Sequence, residues 1–183
     1  MGPLTFDPIV AWVLRVSLAI LFAFAAWHKL RDVTGFRETL REYRVLPDVF
    51  VRAAAGIIVA SEGLTSLALC IPAAASAGAA MAAALLGAYS SGIAVNLIRG
   101  RRSIDCGCLG PASDQSISPA LLGRNALLVA GALAAMLPVG QRSLHWVDSL
   151  TFMAGLACLS MLFIAANQLL ATSSRHGYSG SPS

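Results

Sequence analysis

The chain is 183 residues long, room for one domain, and 57% of it is hydrophobic while only 12% is charged. This balance lies outside that of ordinary soluble globular proteins and excludes a water-soluble fold as the starting assumption. The net charge of +4 does not imply a nucleic-acid partner once its basic residues are assigned to membrane topology and to anionic lipid head groups.

Five apolar runs approach or exceed the roughly 20 residues that a helix needs to cross a bilayer core of about 30 Å. The first, 9–27, carries only Arg15 and Ser17 as polar interruptions. Residues 1–14 lack the Lys or Arg of a secretory n-region, so the run is expected to be a retained span rather than a cleaved signal. The second, 53–71, contains Ser61, Glu62, Thr65 and Ser66, and the third, 73–97, is rich in small residues. Spacings such as Gly78 to Ala82 and Ala84 to Ala88 suit close approach of helix backbones. A fourth run, 121–139, begins with the polar pair Arg124 and Asn125, and a fifth, 146–170, has Asp148 and Asn167 near its ends. The runs are continuous, without period-two alternation, which favours helices over barrel strands. The expected fold is an all-α integral membrane protein: a compact bundle of four core transmembrane helices plus a fifth, C-terminal one. Residues 1–170 form its single domain, and the Ser- and Gly-rich residues 171–183 read as a disordered tail.

Odd-numbered crossings sort the connections onto two sides. Eleven Lys and Arg residues, from Lys29 and Arg31 through Arg124 to Arg175, fall on one side and Arg142 alone on the other. The positive-inside rule makes the richer side cytoplasmic and puts the N-terminus outside and the C-terminus inside. Arg15 and Glu62 remain within the membrane, where an ionisable side chain costs at least ~2.5 kcal/mol. Counted from the outer ends, their depths are close enough for an ion pair. Such a pair fixes the register of two helices, or Glu62 handles protons inside the bundle.

The chemistry-bearing stretch is Arg101-Arg102-Ser103-Ile104-Asp105-Cys106-Gly107-Cys108, between the third and fourth spans. Two cysteines one residue apart meet disulfide geometry only in a bent backbone, which Gly107 permits. The ring should be strained and easily reduced, as suits an exchanging disulfide. Neighbouring cations, including Arg124, favour the thiolate, while Asp105 and His28 are candidate proton carriers. The alternative reading of Trp27-His28-Lys29 is an interfacial anchor. No metal site is expected: zinc wants four ligands, commonly in two pairs, although copper(I) accepts two thiolates on softness grounds. Cys158 reads as a small buried hydrophobe, and Cys70 either as another or as a thiol near the outer face.

The succession of residues 15–47, Glu62, "AVNLIRGRRSIDCGCLG" at 94–110 and "LLGRNALLVA" at 121–130 resembles the MauE family of methylamine-utilisation membrane proteins, within the wider group of DoxX-like redox-associated bundles. The resemblance covers roughly residues 10–170. It implies Cys106 and Cys108 as a redox pair, with Arg15, Lys29, Glu62, Asn96, Asp105, Arg124 and Asn125 as matching framework positions. It further implies maturation of the methylamine dehydrogenase small subunit in the bacterial inner membrane, alongside the thioredoxin-like MauD. No cofactor is evident; a quinone-like electron acceptor follows only from analogy with bundles such as DsbB and vitamin K epoxide reductase. The competing expectation is a noncatalytic assembly or transport factor that holds MauD and the nascent subunit, its Cys-Gly-Cys loop structural or metal-binding.

Overall fold

The structure, a computed structural model, describes residues 6–45, 47–100, 118–140, 142–143 and 145–178, with side chains described as far as Leu169. Asp105, Cys106, Gly107 and Cys108 lie outside the described residues. The described elements are α1 (Pro8–Arg31), α2 (Val33–Glu42), α3 (Asp48–Cys70), α4 (Ala75–Ile98), α5 (Pro119–Ala134) and α6 (Trp146–Tyr178). Among the described residues the only β pairing is a bridge between Phe6 and Val139. The protein is an all-α membrane protein, with α1, α3, α4 and the first part of α6 long and apolar enough to cross a bilayer. α6 continues to Tyr178, past the boundary at 170 that composition suggests.

α1 starts where Asp7 accepts a hydrogen bond from the Ile9 amide at 2.8 Å and Pro8 occupies the first turn, both favoured at a helix start. Asp32 ends α1 and caps α2, its carboxylate accepting from the Gly35 amide and the Thr34 hydroxyl, each at 2.9 Å. α2 falls in what reads from hydropathy as a plain charged connection. At 10 residues it is too short and too polar to register as a span, yet it buries Phe36 and Thr39 against the bundle and leaves Glu38 and Arg41 exposed.

α1, α3, α4 and α5 form the core. Leu18, Ala19 and Phe22 of α1 meet Leu69 of α3, Ala79, Ala82 and Leu86 of α4, and Ala132 and Ala135 at the end of α5. Of the two small-residue spacings in α4, only Gly78 to Ala82 faces inward; Ala84 and Ala88 are exposed. A Cβ on Gly78 would stand 2.8 Å from the Leu69 amide nitrogen, so a glycine is required for α4 to fold back tightly onto α3. α6 packs on α1 through Gly155, where a Cβ would lie 3.1 Å from Val13 Cγ2. Most of its remaining surface faces outward. Cys158 is therefore exposed rather than buried, and Cys70 at the end of α3 is exposed too.

The expected Arg15–Glu62 ion pair is not formed. Arg15 donates instead through Nε and Nη2 to the Ala135 carbonyl, at 3.2 and 3.0 Å. Ser66 Oγ donates to the Ala19 carbonyl at 2.9 Å, which sets the register of antiparallel α1 and α3. Arg15 lies four residues to one side of that level and Glu62 four to the other, about 12 Å apart along the axis. Side chains lean toward the N-terminus of their own helix, so on antiparallel helices these two lean apart.

What Arg15 does is tied to the length of α5. Its 16 residues span only about 24 Å, short of a bilayer core. The chain completes the distance as Ala135–Gly140, where backbone groups need partners that lipid cannot supply. Arg15 satisfies the Ala135 carbonyl and places a cation at the negative end of α5. Phe6 donates its amide to Pro138 and accepts from the Gly140 amide, both at 2.9 Å.

At this end Arg142 donates to Asp7 at 3.0 Å and to Asp148 at 2.8 Å, joining the starts of α1 and α6. The Arg142 hydrogen bond, assisted by the Ile9 amide, holds the Asp7 carboxyl below its ordinary value of 3.8.

Two outcomes follow. Gly78→Val should lower stability by about 1–3 kcal/mol through overpacking, while Gly87→Ala, with nothing within 4 Å of its added Cβ, should leave the melting temperature in detergent near the parent's. Equal melting of the Gly78 variant and the parent would show that the α3–α4 contact is not tight. The depressed Asp7 group contributes stability that is complete above its unfolded value of 3.8 and is lost as pH falls through the lower folded value. Asp7→Asn keeps the helix cap, so the melting difference between parent and variant should be constant from neutral pH to about pH 4 and close below it. A difference that persists unchanged under stronger acid would contradict the ionic contribution.

Candidate functional site

Glu62 is fully buried in α3, and Lys29 of α1 is 2% exposed. The Lys29 ammonium donates to Glu62 Oε1, closing an ion pair inside the bundle. Lys29 lies about 15 Å beyond the Ala19–Ser66 level and Glu62 about 6 Å beyond it. The lean of the two side chains, toward each other here, closes the remaining gap. Lys29 is thus an interior cation, not part of an interfacial anchor, while His28 beside it is half-buried and packs edge-on to Phe24 with ring centroids 5.0 Å apart.

Tyr89 of α4 donates its hydroxyl to the same Glu62 oxygen at 2.6 Å. The ammonium also sits 5.2 Å from the ring centroids of both Phe36 and Tyr89, so two aromatic faces share its charge. Three helices, α1, α3 and α4, therefore meet at one carboxylate oxygen, and α2 joins them through Phe36 at the ammonium. The other, Oε2, has no hydrogen-bond partner although it is buried. Glu62 lines a cavity of about 30 Å³ together with Phe22, Tyr89, Arg124, Asn125 and Phe163, among others.

Arg124 and Asn125 lie in the second turn of α5. Arg124 donates through Nη1 to Asn167 of α6 at 2.6 Å and through Nη2 to Asn125 Oδ1 at 3.3 Å, and its guanidinium lies 5.7 Å from the Phe163 ring centroid. No carboxylate pairs with it among the described residues. Its Nε, and Nδ2 of the 1% exposed Asn125, are buried and unpartnered. Asn96, fully buried near the end of α4, donates to the Tyr43 carbonyl at 3.3 Å and to the Gly92 carbonyl at 3.0 Å. It ties the end of α4 to the turn that follows α2.

Of the residues singled out by sequence, the structure gathers Lys29, Glu62, Arg124 and Asn125 around one polar interior. It leaves Arg15 at the opposite end, His28 at the rim and Asn96 one step removed. Tyr89 and Phe163 were missed. Tyr89 is the lone aromatic residue of alanine-rich α4, a signal available in the sequence; Phe163 differs in no visible way from its apolar neighbours.

These features define a class: a multi-pass helical membrane protein organised round a buried ion pair and a polar cavity. Within that class the chain belongs to the MauE family. The family model described as methylamine utilisation protein MauE matches residues 7–138. The chain is 41% identical over 172 residues to methylamine utilization protein MauE of Paracoccus versutus, covering 93% of this chain and 92% of the relative. It is 40% identical over 134 residues to the protein of the same name from Paracoccus denitrificans, covering 73% and 72%. For that of Methylorubrum extorquens the identity is 35% over 166 residues, covering 90% and 88%. No solved structure matches the chain.

The ion pair generates its own test. Lys29→Met leaves a buried carboxylate without its cation and should cost about 3–5 kcal/mol, whereas Lys29→Met with Glu62→Leu removes both charges and should recover most of that loss. Denaturant unfolding in mixed micelles measures the cycle. Additive losses in the double variant would mean that the two side chains do not act as a pair.

Proposed function

We propose that the chain is a thiol–disulfide redox protein of methylamine utilisation, which supports disulfide formation in the methylamine dehydrogenase small subunit together with a thioredoxin-like MauD partner. The observation that carries this reading is the Asp105-Cys106-Gly107-Cys108 sequence in the connection between α4 and α5 of a MauE-family chain. Arg124, a cation with no acidic partner among the described residues, stands in the second turn of the helix that follows this connection. Nearby positive charge favours the thiolate form on which exchange depends.

In the forward direction, a partner thiolate attacks the Cys106–Cys108 disulfide, forming a mixed disulfide and releasing one cysteine of the pair as thiolate. A second partner thiolate then attacks the mixed disulfide, leaving the partner oxidised by two electrons and the pair reduced. A quinone-like acceptor, by analogy with DsbB-type bundles, is the class of oxidant that would regenerate the pair. In this reading the protein lies in the bacterial inner membrane with its N-terminus outside and its C-terminus inside. With Lys29 and Arg124 drawn into the bundle, the charge bias still rests on nine basic residues against Arg142.

Maleimide trapping in intact cells and inverted vesicles, with and without prior reduction, tests the proposal. The pair should be oxidised at rest and labelled only after reduction, and Cys106→Ser or Cys108→Ser should abolish subunit maturation. Maturation that survives the double substitution, with MauD still copurifying, would replace the redox role with that of an assembly factor.

A further inference from the structure

We infer that the cavity between Glu62 and the start of α5 is an internal water site that joins the buried ion pair to Arg124 and Asn125. Three polar atoms border or belong to its lining side chains and lack partners: the acceptor Glu62 Oε2 and the donors Arg124 Nε and Asn125 Nδ2. Glu62 and Asn125 are at most 1% exposed. Two donors and one acceptor match a water molecule, which accepts two hydrogen bonds and donates two. The volume of about 30 Å³ exceeds the roughly 10–15 Å³ that one water needs, and about three hydrogen bonds are usual for a buried water. The rest of the wall, Phe22, Leu86, Leu128 and Phe163 among others, is apolar, which confines the water to the polar side.

The charged and titratable groups at this site are Lys29 from α1, Glu62 from α3, Tyr89 from α4 and Arg124 from α5; α6 contributes Phe163 to the wall and Asn167 behind Arg124. Two cations and one carboxylate leave a net positive charge. Water bridging Glu62 to Arg124 lets the carboxylate serve both, the lysine directly and the arginine through one molecule. The water site does not depend on the redox reading proposed above.

Radiolytic hydroxyl labelling of the full-length protein in micelles tests it, because radicals born from bound water oxidise neighbouring side chains that bulk solvent does not reach. Phe22, which lines the cavity and is 1% exposed, should be labelled in the parent. The labelling should be lost in Asn125→Leu, which removes a donor and fills the space, and in Leu128→Phe, which fills it from the apolar wall with every polar group intact. The second variant keeps the test decisive if the first does not fold. Unlabelled Phe22 in the parent, or labelling unchanged in a folded variant, would overturn the inference. Neither readout involves Cys106 or Cys108, so its failure is separable from failure of the redox role.

Discussion

The pairing of Lys29 with Glu62 is the interaction round which the bundle is arranged. An ionised side chain in a bilayer interior is tolerated only beside a partner of opposite charge or a polar cavity, and Glu62 has both. Once its Oε1 accepts from Lys29 and Tyr89, α1, α3 and α4 are held in one register, and Phe36 of α2 is drawn in over the ammonium. A buried pair of this kind adds little net stability compared with a well-packed apolar pair. Its contribution is to penalise every alternative packing that would separate the charges.

A second constraint acts at the opposite end. α5 is too short to cross a bilayer core alone, and the irregular segment that completes its path has carbonyls and amides to satisfy. Arg15 and the backbone of Phe6 do so. The two intramembrane cations of α1 thus have different tasks. Lys29 neutralises a carboxylate on a neighbouring helix, and Arg15 caps the end of another, where the partial negative charge of the last carbonyls attracts it. Both tasks arise from helix geometry: α1 and α3 are antiparallel, so the backward lean of their side chains brings Lys29 and Glu62 together and parts Arg15 from Glu62.

The ion pair, the cavity and Arg124 lie among the described residues, and the cysteines of the proposed exchange lie in the connection between α4 and α5. Asn96 anchors one side of that connection to the end of α2, and Arg124 anchors the other to α6. Whatever chemistry the connection performs, both of its attachments rest on hydrogen-bonded side chains, buried for Asn96 and part-buried for Arg124.

The sequence by itself determined that the chain is a helical membrane protein, because hydropathy is summed along the chain and needs no partner. It also exposed Arg15, Lys29, Glu62, Asn96, Arg124 and Asn125 as polar residues in or beside apolar runs, and the residue pattern that marks the family. Only the tertiary structure decided who pairs with whom. The choice of Lys29 over Arg15 for Glu62 depends on helix direction and side-chain lean, neither of which appears in a count of depth. α2 is legible only once Phe36 has a bundle to pack against, since a ten-residue polar helix is not stable alone. Whether Cys158 is inside or outside follows from which narrow face of α6 meets α1 at Gly155. Burial and partnership are properties of surfaces brought together, and a linear pattern supplies the candidates while the packing selects among them.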